Sequence, residues 1–139
     1  MKRVSSLPDV AVLHGVVIET TTATLPMEWI VYHPLGDPAT LGGSALPSRH
    51  DASQYWDISF HPVAAKARAD LTLNWPDSAG FETEARIFRL GVGVWSQAGV
   101  FDSADVSGDP NTVTHRDVST FSPFAVGDKD SLLTLWILH

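Results

Sequence analysis

The chain has no cysteine. That removes disulfide frames, thiolate nucleophiles and every cysteine-ligated zinc or iron–sulfur site from consideration, although it selects no compartment. Positive charge is scarce as well: nine Lys and Arg against sixteen Asp and Glu give a formal net charge of -7. Phosphate backbones are held by clustered Lys and Arg, and here the basic residues are scattered from Lys2 to Lys129. No nucleic-acid partner is expected. No apolar run approaches the ~20 residues that cross a bilayer as a helix, so no membrane span is expected either. Lys2 and Arg3 would suit a signal peptide, but Pro8, Asp9 and His14 interrupt the apolar stretch it needs, and the start reads as a mature one. Convincing 3.6-residue periodicity is also missing.

What is present points to strands. With 44% hydrophobic and 18% charged residues in 139, the composition is that of one globular domain. Tyr55–His61 alternates, with Trp56, Ile58 and Phe60 on one face and Asp57, Ser59 and His61 on the other, as a half-buried antiparallel strand does. Arg68–Trp75 alternates again through Leu71, Leu73 and Trp75. The β-branched stretch Val10–Thr20 suits a strand, with Gly15 marking a bulge. Residues 87–95 read as a hairpin in which Gly91 supplies the positive φ. Ala64–Ala69 reads as a helical turn, Phe101–Asn111 as a polar loop, and Leu132–Leu138 as a last strand. From Pro34 to Gln54 closely spaced Pro, Gly and Asp mark a long loop, and loops of that length are often functional or mobile. Eight or nine short strands at this spacing predict an all-β antiparallel sandwich, of jelly-roll or immunoglobulin-like form, in a single domain.

The stretch Val118–Asp128, VSTFSPFAVGD, organises the C-terminal half. Proline disfavours a helical residue before it, so Ser122-Pro123 places a corner between Phe121 and Phe124, and both rings must find core on either side. Residues 55–128 as a whole resemble a module of large secreted and surface proteins of Bacteroidetes-type bacteria that end in a C-terminal sorting domain. The features carrying this are Tyr55-Trp56-Asp57-Ile58, Leu71-Thr72-Leu73, Arg86-Ile87-Phe88-Arg89-Leu90, Gly93-Val94-Trp95, Thr112-Val113-Thr114 and, most specific, Phe121-Ser122-Pro123-Phe124-Ala125. The resemblance implies a β-sandwich accessory domain of an extracellular multidomain protein, with neighbouring domains as partners.

Candidates for chemistry are few. His33, His50 and His61 with Asp51 and Asp57 lie in or beside the long loop and form the candidate metal set, for zinc or copper, and the basis of a small hydrolase. No pair has HxH or HExxH spacing. Ser59, His61 and Asp57 share a strand face, but neighbours on one face are about 7 Å apart, too far for a catalytic hydrogen bond, and no G-x-S-x-G elbow is present. Glu82, Glu84 and Asp77 could form a glycosidase carboxylate pair or simply a charged hairpin end. Asp102, Asp105, Asp109 and Asn111 invite calcium but lack the EF-hand pattern, and turn formation is the simpler account of them. Five tryptophans are many for this length. Trp56 and Trp75 fall on core faces; Trp29, Trp95 and Trp136 are the candidates for stacking on carbohydrate. The expected function is a non-catalytic accessory or structural module that contacts glycans through aromatics, with the hydrolase as the alternative. Oligomeric state is undetermined by the sequence.

Overall fold

A computed structural model describes residues 1–81 and 84–131. Eleven strands form there: β1 (Lys2–Val4), β2 (Asp9–Leu13), β3 (Val16–Ala23), β4 (Met27–Tyr32), β5 (Trp56–His61), β6 (Ala67–Trp75), β7 (Ala85–Gly91), β8 (Val94–Gln97), β9 (Val100–Asp105), β10 (Asn111–Val118) and β11 (Pro123–Asp128). They build two antiparallel sheets, one of six strands in the order β1-β4-β5-β11-β7-β8 and one of five in the order β2-β3-β6-β10-β9. This is the expected antiparallel β-sandwich. No helix among the described residues is long and apolar enough to cross a membrane.

The core lies between the sheets and follows strand alternation. Ile18, Leu71, Leu73 and Trp75 enter from the five-stranded sheet, and Met27, Trp29, Trp56, Ile58 and Phe124 from the six-stranded one, all essentially inaccessible. Trp29 stands edge-on to both Phe60 and Phe121, and Phe121 in turn to Phe124. Buried indoles need an acceptor for their N–H: Trp29 Nε1 donates to Thr20 Oγ1 at 2.9 Å and Trp75 Nε1 to the Phe81 carbonyl at 2.9 Å. The corner at residues 119–122 takes the chain from β10 in one sheet to β11 in the other, so Ser122-Pro123 marks the sheet crossing.

Several local expectations need correction. Val10–Thr20 is two strands: His14 and Gly15 both have positive φ (50° and 83°) and make a two-residue hairpin turn. The turn at 91–94 is built the same way on Val92 and Gly93 (51° and 75°), and Gly91 stays extended. Ala64–Ala69 forms no helical turn, because β6 begins at Ala67. The stretch after Phe101 holds most of β9, whose edge position leaves its polar side chains in solvent. The expected strand Leu132–Leu138 lies outside the described residues.

The long loop is an ordered strap. Ser44 bridges to Val94 at the β8 edge, and His50 bridges to Gly127 of β11. The backbone bonds Asp51 N to Val126 O and Asp128 N to Arg49 O, at 2.9 and 2.8 Å, extend that second contact. Between these anchors the strap helps cover a small second core of Phe88, Trp95 and Ala125, with Leu46, Tyr55 and Leu90 packed on it. Trp95 Nε1 donates to the Gly42 carbonyl at 3.1 Å. At Gly127 a Cβ would sit 2.9 Å from Pro47 Cγ. Gly127→Ala is therefore expected to push the strap off and cost about 1–3 kcal/mol. Limited proteolysis within residues 42–50 should speed up in that variant; cleavage at the parent rate would count against the strap's packing.

Candidate functional site

The candidate metal set does not come together. His61 ends β5 opposite Glu28, at the far end from the strap, while Asp57, four residues earlier and thus about 13 Å away along the strand, pairs with Tyr32 and Pro123. His33, His50 and Asp51 do sit near the strap's end, in two separate hydrogen-bonded sets. His33 stacks on Trp56, with centroids 4.8 Å apart and planes 4° from parallel, and its Nε2 meets Gln54 Oε1 at 2.9 Å. Gln54 Nε2 donates to Asp51 Oδ2 at 2.8 Å and to the Asn74 carbonyl at 3.2 Å. That fixes the amide orientation and makes His33 Nε2 the donor. Buried Asp51 also accepts from Ser53 N and Oγ at 3.0 and 2.5 Å.

In the second set, His50 Nδ1 meets the Pro47 carbonyl at 2.7 Å and Nε2 meets Asp37 Oδ1 at 2.8 Å. Burial opposes the Asp37 carboxylate, but bonds from Ala39 N–H and His50 outweigh it and hold its pKa below the ordinary value. Both His50 nitrogens face acceptors, His33 Nε2 donates to Gln54, and Ser53 gives its proton to Asp51, so neither of these two imidazoles is positioned to take the Ser53 proton. Among the described residues no three His, Asp or Glu side chains are grouped to hold a metal ion.

The other candidates are engaged in the fold. Glu84 pairs with Arg86 and Lys129 at 3.6 and 3.5 Å, and Asp77 accepts from Asn111 Nδ2 at 2.7 Å; Glu82 lies outside the described residues. Asp102 pairs with Arg116. Asp105 accepts from the Ser107 hydroxyl and amide, which lowers its pKa, and Asp109 accepts from Asp77 N. Trp29 and Trp95 were the aromatics expected to contact sugar, but both indoles are buried, at 0% and 2% exposure. Alternation turns Trp29 inward and the strap closes over Trp95, so neither offers a stacking face. Trp136 lies outside the described residues.

A cleft of about 570 Å3 opens instead at the end of the sandwich away from the strap. Its walls are Thr22 and Thr24, the β6 lead-in with Lys66 and Arg68, Ser119 of the corner, and half-buried Phe60 from the opposite sheet. Two irregularities in register shape it. Thr21 is extra in β3 between Thr20, opposite Ala69, and Thr22, opposite Arg68. On the other side of β6 the β10 register slips between His115 and Val118, with Asp117 at φ 58°. Bulges bend a strand and increase its twist. Two of them flank β6 near one level, and the cleft lined by Phe60 opens beside them. Asp117 Oδ1 holds Arg68 Nη1 at 2.8 Å, while Lys66 has no carboxylate partner among the described residues. The sequence signals for this cleft were the alternating Thr20, Thr22, Thr24 and the alternating Lys66, Arg68. Reading 64–69 as a helical turn concealed the second. Comparison with protein-family models, curated proteins and solved structures finds no match to the chain.

Proposed function

We propose that the protein is a non-catalytic accessory module of a secreted or surface protein, acting by binding. The observation that carries this is the engagement of the long loop: its His, Asp, Ser and Gln side chains hold one another and the strap in place, where an enzyme would keep a nucleophile and base turned toward substrate. A concavity at the opposite end offers hydroxyls, cations and one aromatic ring, which are binding groups. The resemblance of residues 55–128 to surface-protein modules supports placing it outside the cell beside other domains. Of the aromatics, Phe60 lines this concavity, and Tyr32 on β4 is exposed on the outer face of its sheet. The test is incubation with p-nitrophenyl esters and glycosides, with and without Zn2+ or Ca2+. No rate above blank is expected. A rate that disappears in a folded Asp51→Asn or His50→Gln variant would establish the hydrolase instead.

A further inference from the structure

We infer that the cleft between Thr22 and Ser119 binds a carboxylated sugar, a hexuronate unit, a reading that rests on the binding-module function above. Three features select this chemistry. Phe60 supplies an aromatic floor from the opposite sheet and is stiffened by edge-on contacts to Trp29 and Phe121, at 5.7 and 5.8 Å between centroids. Sugar rings have an apolar face that rests on such a surface. Around it stand three hydroxyls, with the small side chains of Ala23, Ala65 and Ala67 between them. Those of Thr22 and Ser119 have no hydrogen-bond partner among the described residues, and that of Thr24 accepts only from Lys66 N–H at 3.3 Å, leaving its proton to give. Lipid tails and aromatic acids would instead call for an enclosed apolar pocket.

Charge selects the acidic sugar over a neutral one. The chain carries a net charge of -7, yet no carboxylate lines this cleft, and two of its nine basic residues do. Lys66 is the unpaired one, a point charge on a long stem that reaches a ligand from the rim. Phosphate is a poorer fit, because bidentate recognition would fall to Arg68, which Asp117 already holds. The ring thus lies on Phe60, its hydroxyls meet Thr22, Thr24 and Ser119, and its carboxylate meets Lys66.

Titration of the isotope-labelled protein with trigalacturonate, monitored by amide NMR shifts, tests this. Thr22, Thr24, Lys66, Arg68 and Ser119 should shift together, and maltotriose should bind about tenfold more weakly. Lys66→Gln, on an exposed side chain, should lose about tenfold in affinity for trigalacturonate with an unchanged melting temperature. Phe60→Leu should lose about fivefold while keeping the core filled. Monomeric galacturonate distinguishes a free acid from a chain end: equal affinity means one unit is read, and tighter trisaccharide binding means a chain. Shifts confined to other surfaces, maltotriose binding as tightly, glucose 6-phosphate binding more tightly, or undiminished binding by folded Lys66→Gln would each overturn the assignment. Failure to bind without turnover removes only this inference; cleavage of the trisaccharide removes the non-catalytic reading itself.

Discussion

Phe124→Ala lowers stability by about 4 kcal/mol and the melting temperature by roughly 15 °C, while Phe121→Ala costs about half as much. Phe124 is completely buried on β11, between Ile87 and Ile58 strands on either side, and packs into the main core. Truncation leaves a cavity that two hydrogen-bonded neighbours prevent from collapsing, and the cost rises with the residual volume. Phe121 stands on the corner before β11, half-buried, with edge-on contacts to Trp29, Phe60 and Phe124. Its loss is felt through those contacts and is relieved partly by solvent. Denaturant melts of the two variants check this, and equal losses would contradict the assignment of one ring to the core and the other to its margin.

Acid destabilises the protein through His115. This residue is fully buried on β10, yet its ring binds the opposite sheet: Ile87 N–H donates to Nε2 at 3.0 Å and Nδ1–H donates to the Ala98 carbonyl at 2.6 Å. One neutral tautomer satisfies both partners, and a second proton would point at the Ile87 N–H. Burial lowers the pKa from 6.5 to about 4; the bond to Ala98 opposes the shift and the nearby Arg86 charge adds to it. The unfolded chain therefore takes up the proton first. The stability held by the neutral ring is complete above pH 6.5 and is lost as pH falls toward 4, an amount of about 3 kcal/mol. His115→Leu removes this dependence but strands two buried backbone groups, costing about 2–4 kcal/mol at neutral pH. The stability difference between the parent and the variant should shrink as pH falls from 7 to 4. A difference that stays constant over that range would disprove the buried neutral histidine.

The layers of the fold were legible because alternation records which side of a strand meets core. Trp56, Ile58, Leu71, Leu73 and Trp75 could be assigned inward from spacing alone, and they are. Ser122-Pro123 likewise announced a corner. The hairpin turns were less readable. β-Branched Val92 adopts positive φ against its own preference, and His14 does so more readily, because the paired strands require it; the glycines beside them gave only an approximate position. β9 was missed since an irregularity in its register with β10 breaks its alternation: its half-buried residues Phe101 and Ala104 are three apart, not two. Of the site, the proximity of His33, Gln54 and Asp51 follows from the loop closing on itself. The separation of His61 from them follows from strand length, which a list of nearby sequence numbers hides. The cleft was least visible: it depends on two bulges in strands far apart in sequence, and a bulge leaves almost no mark on composition.

The strap also imposes an order in time. Residues 42–51 leave the ribosome well before Val94 and Gly127, the strands they lie on, so during synthesis the strap has nothing to close against. Phe88 and Trp95 in turn lack their core neighbour Ala125, and the strap its second anchor at Gly127, until β11 has emerged. The nascent chain thus passes through a stage with an open, sticky sheet face, the condition under which unfinished β-proteins associate with one another and are held by chaperones.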